Sequence, residues 1–475
     1  MQHSISFILN NQRTDVTFGP ASPPTTTVLN YLRGLPERRG VKEGCAEGDC
    51  GACTVVLAEP GSDGTLRYRA VDSCLIFLPM LHGKQLITVE DLRQPDGSLH
   101  PVQQAMVDLH GSQCGFCTPG IVMSLFALFK SKTGVSEREA KTAIAGNLCR
   151  CTGYAPIIRA AINACASDRT DQFSRAEQET IASLRRISAE SISIATGAQR
   201  YDIPASLKEC LQLLRDDPQA IIVNGGTDVA LRVTKRFETL PHVLDCSLIT
   251  ELQHLANDPH GLHIGAGVRI NEILPLIEKD YPAFHEMLAV FGAGQIRNVG
   301  TLGGNLGTAS PVGDSLPVLI AYGAEIEVAS VDGTRRVPAD EFAVGYRKTL
   351  RKPDELITAI ILPPPSRSSF VKCYKISRRR DLDIATVSAA FRLERDANGD
   401  VKDVVLAFGG MAERTKRAGE TESFLKNGPW TRARIEEAEP LLSKDFTPIS
   451  DVRGSAEMRR IAARNLLMKF WIETT

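Results

Sequence analysis

The sequence lacks a charge excess of either sign: 55 Lys and Arg stand against 56 Asp and Glu in 475 residues, a formal net charge of -1. Without a basic surplus or a long Lys/Arg block, nothing favours condensation on phosphates, and nucleic acid is not an expected partner. Long apolar runs are also missing. The longest, Ile121 to Phe129, is about half of the ~20 residues a membrane-spanning helix needs, so no membrane association is expected. Residues 1 to 20 hold no basic start followed by an apolar stretch and a small-residue cleavage site. No export signal is visible, and a cytoplasmic location is expected. No G-x-G-x-x-G occurs, which leaves a Rossmann dinucleotide site unsupported, and no repeat of fixed period suggests a solenoid. The 43% hydrophobic content is enough for several cores, and the length suggests roughly three domains.

What is present is cysteine, unevenly spread. Eight of the 12 lie between residues 45 and 151, a clustering that in a cytosolic chain favours metal ligands or redox groups over bridges. In EGCAEGDCGACT, residues 43 to 54, four residues separate Cys45 from Cys50 and two separate Cys50 from Cys53, with Cys74 twenty residues further on. This is plant-type [2Fe-2S] spacing. Thiolates concentrated in one loop need inward-pointing backbone N–H groups, and Gly44, Gly48, Gly51 and Ala52 permit such wrapping. A zinc site or buried free thiols is the plainer alternative, although zinc ribbons favour two separated knuckles. A second group, QCGFCTPG (113 to 120) and NLCRCTGY (147 to 154), holds Cys114, Cys117, Cys149 and Cys151. Cysteines one residue apart cannot share a helical face, so they suit a helix end or loop turning around a metal, zinc or a second [2Fe-2S] centre. Cys165, Cys210, Cys246 and Cys373 read as core thiols.

Apolar alternation at Ile5, Phe7 and Leu9, a turn at Asn10-Asn11, and renewed alternation at Val16 and Phe18 predict a hairpin. A short helix is expected around Val28, Leu29 and Leu32, then strands at Thr54 to Ala58, Leu66 to Val71 and Leu86 to Val89. From Pro101 the period becomes helical, with capping-box spacing at Ser136 and Glu139 and a further helix starting near Pro156. Residues 166 to 200 are polar and read as a linker carrying one exposed helix. Beyond them, strands at Ala220 to Val223, His242 to Asp245, Leu262 to Ala266 and Glu325 to Ala329 alternate with helices in an α+β pattern. Pro363 to Pro365 break the chain, and strands followed by helices fill residues 370 to 475. Two glycine-rich turns, IVNGGTD (222 to 228) and RNVGTLGGN (297 to 305), qualify as phosphate cradles through the N–H groups of Gly225, Gly226, Gly303 and Gly304 and the side chains of Thr227, Thr301 and Asn305. Read alone, each is equally an ordinary loop.

The order of the two cysteine groups, with QCGFCTPG and NLCRCTGY nearly word for word, resembles the molybdenum hydroxylase family, as the small subunit of its purine-oxidising branch. The resemblance implies an α+β multidomain chain. A β-grasp, plant-type ferredoxin-like domain over 1–90 would hold one [2Fe-2S] cluster through Cys45, Cys50, Cys53 and Cys74. A helical-bundle domain over 91–166 would hold another through Cys114, Cys117, Cys149 and Cys151. A linker over 167–194 would lead to a vanillyl-alcohol-oxidase-like FAD domain over 195–368 and a C-terminal α+β flavoprotein domain over 369–475. FAD would be held at its diphosphate by Ile222, Val223, Asn224, Gly225, Gly226, Thr227, Asp228 and Val229, and by Thr301, Leu302, Gly303, Gly304 and Asn305. Phe291 would lie by the flavin ring, Asp314 at the adenosine end, and Ile357 and Lys375 at further flavin contacts.

Clusters move single electrons and nicotinamide takes a hydride, so a flavin is needed between them. With no residue for substrate oxidation in this chain, the resemblance assigns that step to a large molybdopterin-binding partner hydroxylating hypoxanthine and xanthine to urate. It implies two small and two large chains in a heterotetramer, with NAD as electron acceptor. The same relay would serve an aldehyde or other N-heterocycle hydroxylase, or an oxidase using oxygen; a zinc-stabilised scaffold without redox role is the alternative of another class. Gln113, beside Cys114, would face the partner's cofactor or is equally a plain helix-end amide. The basic run Arg378, Arg379, Arg380 departs from the family's form: Arg380 stands where an acid often follows, and Leu382 interrupts the acids, which bears on the acceptor.

Overall fold

The structure is a computed structural model that describes residues 4–166, 170–187, 190–366 and 368–475, in two compact units. The expected start of the linker at residue 167 lies outside the described residues. The first unit comprises Met1–Ala205, Gln219–Leu248 and Ala293–Gly300.

Its opening hairpin pairs β1 (Ser4–Leu9) with β2 (Gln12–Thr17) across Asn10 and Asn11, both at positive φ, which asparagine tolerates better than other side-chain-bearing residues. With β3 (Thr54–Pro60), β4 (Leu66–Asp72) and β5 (Gln85–Ile87) these strands form one sheet in the order β2-β1-β5-β3-β4. The pair β1 and β5 runs parallel, and the others antiparallel. The expected strand to Val89 stops at Ile87, because Thr88 and Asp91 form a capping box that starts a 3-10 turn over Val89–Leu92.

The middle of this sheet is buried on both faces. Ile5, Phe7, Val55 and Leu57 share a core with Val28, Leu29 and Leu32 of α1 (Val28–Gly34), whereas Ile8, Val56 and Ala58 pack with Ile121, Leu125 and Phe126. The unbroken apolar run of β3 therefore reflects a strand between two layers. The second layer is α2 (Pro101–Asp108), α3 (Thr118–Ser131), α4 (Glu137–Ala143) and α5 (Ala155–Ala164). Proline sits in the first turn of α2, α3 and α5, and the Ser136–Glu139 capping box opens α4.

The polar stretch read as a linker with one exposed helix carries two helices, α6 (Gln172–Arg175) and α7 (Glu177–Arg185), and they are not solvated all round. Phe173, Ile181 and Leu184 enter the same core as Phe126. Phe173 on α6, Ile181 and Leu184 on one face of α7, and Ile187 just beyond it suffice to dock two helices whose other faces are polar and charged. Asp171 completes the attachment, accepting from Lys130 Nζ at 2.9 Å and lying 3.2 Å from His100 Nε2, with all three side chains almost fully buried. A further sheet, β6 (Ile192–Thr196), β7 (Gln199–Ile203), β8 (Ile221–Val223) and β9 (His242–Asp245), has the order β6-β7-β9-β8, with β7 and β8 both parallel to β9.

The second unit comprises Ser206–Pro218, Ile249–Gly292 and Thr301–Thr475. One sheet orders its strands Leu255–Asp258, Gly261–Gly265, Leu356–Leu362, Glu325–Ser330 and Gly333–Pro338. Another runs antiparallel through Ser369–Ile376, Val387–Arg395, Val401–Gly409 and Lys416–Arg417, and the helix Ala456–Thr474 buries Ala463, Leu467 and Phe470 in its core. Among the described residues no helix is long and apolar enough to cross a membrane.

Candidate functional site

The loop between α1 and β3 brings its cysteines together in pairs with each other and with Cys74. Cys53 Sγ lies 3.4 Å from Cys74 Sγ, both buried, and the Cys50 thiol donates to Cys45. Cys45 also accepts the N–H of Glu47 at 3.4 Å and of Asp49 at 3.2 Å. These donors arise because Ala46 and Gly48 turn through positive φ, curling the backbone around the sulfur. The Cys50 thiol and these N–H groups hold the Cys45 thiol down to about 5, against the effect of burial. Cys50 is pushed up because it donates to Cys45, and Cys53 because it donates to Cys74 and is buried. Asp72 accepts from Cys53 at 3.7 Å while its Oδ2 is buried without a hydrogen-bond partner; burial and the neighbouring Cys45 raise its carboxyl to about 8. Sequence reasoning missed Asp72, which has no local signature beyond lying two residues before Cys74.

The second group also pairs. Cys117 precedes α3, Cys149 and Cys151 lie in the loop before α5, and Tyr154, at φ 68°, turns that loop into the helix. Cys151 donates to Cys114, and Cys117 to Cys149. The Phe116 N–H and the Cys151 thiol lower Cys114; burial and Cys149 push Cys117 up to about 12. Burial opposes ionisation of Cys149, yet the Thr152 hydroxyl 3.1 Å from its sulfur brings its thiol down. The Tyr154 hydroxyl accepts the Cys149 N–H at 2.8 Å. Among the described residues no three Cys, His, Asp or Glu groups gather as a site for a single ion. Sulfurs brought together in twos fit a two-iron core, in which each iron takes two protein ligands. Of the remaining cysteines, Cys165, Cys210 and Cys246 are buried, and Cys373 donates to the Ala283 carbonyl.

The glycine turns lie in different units. In the first unit, β8 runs into Asn224, Gly225 and Gly226; both glycines have positive φ, and a Cβ on Gly225 would lie 2.0 Å from the Val299 carbonyl. The chain then enters a short helix, Ala230–Thr234, just after Thr227, Asp228 and Val229. In the second unit Thr301 caps the helix Leu302–Thr308, accepting the Gly304 N–H at 3.0 Å, and Gly303 N–H donates to the Ala266 carbonyl. Those two N–H groups, expected to be bare, are thus already engaged. Gly303 is required here by the close pass of Ala266, whose carbonyl oxygen would lie 2.6 Å from a Cβ. Asn305 accepts from Ser315 at 2.5 Å.

Asp314 and Lys375 form a buried pair at 2.7 Å, and Lys375 also donates to the Val290 carbonyl. Burial raises the Asp314 carboxyl, opposed by Lys375, and Asp314 Oδ1 is buried without a hydrogen-bond partner, an acceptor suited to a ligand hydroxyl or amine. Phe291 is half-buried against the core, and Ile357 is 7% exposed within it, so its side chain has little surface to offer. Leu382, at φ 73°, is buried and donates its N–H to the Gly292 carbonyl, anchoring the arginine-bearing loop next to Phe291. Arg379 pairs with Asp383, Arg378 donates to the Val452 carbonyl, and all three arginines are exposed.

Three family descriptions match the chain: the FAD binding domain in molybdopterin dehydrogenase over residues 193–365, the CO dehydrogenase flavoprotein C-terminal domain over 372–474, and a [2Fe-2S] binding domain over 88–162. The xanthine dehydrogenase of Oryza sativa subsp. japonica is 32% identical, over 94% of this chain and 38% of the relative. Mouse (Mus musculus) xanthine dehydrogenase/oxidase is 31% identical, over 94% of this chain and 37% of the relative. The chain thus spans well under half the length of these relatives. Among solved structures, quinoline 2-oxidoreductase from Pseudomonas putida 86 aligns with a TM-score of 0.54 at 28% identity, covering 58% of this chain and 96% of that one. Carbon monoxide dehydrogenase from Hydrogenophaga pseudoflava aligns with a TM-score of 0.54 at 26% identity, covering 57% and 94%. The chain is therefore homologous to the iron–sulfur and FAD portion of molybdenum hydroxylases. Its particular likeness, at about a third of aligned positions, is to the corresponding portion of xanthine dehydrogenases.

Proposed function

We propose that this chain is the electron-transfer subunit of a xanthine dehydrogenase, taking electrons from a molybdopterin-binding partner that hydroxylates hypoxanthine and xanthine and delivering them to NAD+. When bound, two [2Fe-2S] clusters and FAD supply the one-electron carriers and the conversion to a two-electron transfer. The observation that carries the reading is that the eight motif cysteines fall into four sulfur pairs, two within each motif group.

Cys45, Cys50, Cys53 and Cys74 hold one cluster, in a sheet and helix that suit a β-grasp domain. Cys114, Cys117, Cys149 and Cys151 hold the other. The Glu47 and Asp49 N–H groups stabilise the Cys45 thiolate before metal arrives. Cys114 and Cys151 are exposed, beside the exposed apolar Phe116 and Leu148, which supports the helical centre as the end that meets the large partner; Gln113 is exposed there too. For FAD, Ile222–Val229 and Thr301–Asn305 remain the proposed diphosphate loops in a vanillyl-alcohol-oxidase-like domain, with Asp314 supplying its open oxygen and Lys375 holding that carboxylate in place.

A second reading, hydroxylation of another N-heterocycle, draws on the alignment with quinoline 2-oxidoreductase. The test is the metal and flavin content of the complex purified from its native cells, followed by turnover with xanthine, an aldehyde and nicotinate, and with NAD+ or oxygen as acceptor. About four irons and one FAD per copy, with molybdenum on a larger companion and NADH formed from xanthine, is the expected result. Zinc in place of iron overturns the relay; turnover of nicotinate alone overturns the substrate.

A further inference from the structure

We propose that Asn147 is the positioning residue that holds the two cysteine centres at a fixed separation, by pinning the loop that carries Cys149 and Cys151 to the turn that carries Cys50 and Cys53. The proposal rests on the reading that these cysteines hold two clusters. Asn147 is 1% exposed, and all four of its side-chain hydrogen-bonding positions are filled. Nδ2 donates to the Gly51 carbonyl at 3.0 Å and to Thr54 Oγ1 at 3.1 Å, the residues that directly follow Cys50 and Cys53. Oδ1 accepts from Ser124 Oγ at 2.6 Å and from Gln295 Nε2 at 2.9 Å.

The backbones on either side of this amide touch. Leu148 N–H donates to the Cys50 carbonyl at 3.0 Å, so one hydrogen bond joins a proposed ligand of the first centre to the residue adjoining Cys149, a proposed ligand of the second. A Cβ on Gly51 would lie 2.3 Å from the Gly146 carbonyl, and one on Gly120 would lie 2.1 Å from the Gly51 carbonyl. Nothing larger than hydrogen fits at either position. Single-electron transfer between fixed centres falls steeply with distance, and a buried amide with all four of its own hydrogen bonds made is held in one orientation, even though Gln295 Oε1 beside it has no partner. Such a contact sets the gap the electron crosses, and Asn147, two residues before Cys149, reaches across it with its side chain to Gly51 and Thr54.

The test is low-temperature electron paramagnetic resonance of the fully reduced holo complex, together with the rate of flavin reduction after substrate is added. The spin–spin splitting between two reduced clusters falls with the cube of their separation. Asn147→Ala is expected to keep its iron and both cluster signals, to narrow that splitting, and to slow flavin reduction several-fold. An unchanged splitting with full iron overturns the proposal. Should Asn147→Ala fail to load iron, the double variant Ser124→Ala, Gln295→Ala, which releases the Oδ1 half of the amide, decides by the same measure: narrowed splitting supports the role, unchanged splitting overturns it. A wild-type complex without two iron–sulfur signals would defeat the relay reading instead, so the two failures are distinguishable.

Discussion

The two proposed cysteine centres would share a chemistry, and they differ in enclosure. Cys53 and Cys74 are 2% and 1% exposed, beside strands of a sheet covered on both faces, with Cys45 and Cys50 half-buried, whereas Cys114 and Cys151 stand exposed in loops that lead into helices, with Cys117 half-buried and Cys149 buried. A loop that must wrap its sulfurs between layers is under tight steric control; a loop capping helices is free on one side. Burial of that kind shields a centre from solvent and tunes its potential, while exposure suits exchange with another protein.

The largest expected effect erases the comparison. Cys50→Ala in the enclosed loop and Cys117→Ala in the open one should each abolish xanthine-dependent NADH formation by the complex, followed at 340 nm in a standard assay; turnover at the normal rate in either would break the series arrangement. Next comes the attachment of α6 beside the helical layer. Asp171→Asn leaves Lys130 and His100 buried without their carboxylate, and should cost about 4 kcal/mol in denaturant unfolding.

The same group carries a pH signature. Against the penalty of burial, His100 and Lys130 bring the Asp171 carboxyl from 3.8 to about 2. A depressed folded pKa contributes stability that is complete above the unfolded value and lost as pH falls through the folded one. The gap in unfolding free energy between wild type and Asp171→Asn should therefore shrink by about 2 kcal/mol between about pH 4 and pH 2. A gap independent of pH in that window would show that the carboxylate is not held by charge.

The smallest effects sharpen the contrast between the loops. Gly51 and Gly115 both have positive φ, but a Cβ on Gly51 meets the Gly146 carbonyl, whereas nothing lies within 4 Å of one on Gly115. Gly51→Ala should destabilise by about 3 kcal/mol from strain and overlap together, and Gly115→Ala by about 1 kcal/mol from strain alone. Equal losses in thermal or denaturant melts would mean that the enclosed loop relaxes as freely as the exposed one.

Much of the fold was legible because it is local. Alternation at Ile5, Phe7 and Leu9, the Asn10-Asn11 turn, Pro101, and the Ser136–Glu139 box each act within a few residues, and each marks the element expected of it. The helices after Asp171 were misjudged because Phe173, Ile181 and Leu184 are sparse in sequence and become a stripe only when Phe126 is there to receive them. Gly303 was read as an open donor, since nothing near it in the chain shows that Ala266 takes its N–H, whereas the acceptor for Gly304, the Thr301 hydroxyl three residues earlier, is a local cap that was overlooked. Gln295 was passed over entirely; its partner Asn147 is 148 positions away.

The sequence by itself determined which residues are able to ligate, since thiol identity and spacing are covalent properties, and it determined the period of each strand and helix. Tertiary structure alone decided how those ligands are paired, which centre is enclosed, and which polar groups remain open: Asp314 Oδ1 is free and Gly303 N–H is not. The reason is physical. Pairing, burial and hydrogen-bond satisfaction are properties of surfaces that meet only after segments far apart in the chain have packed together.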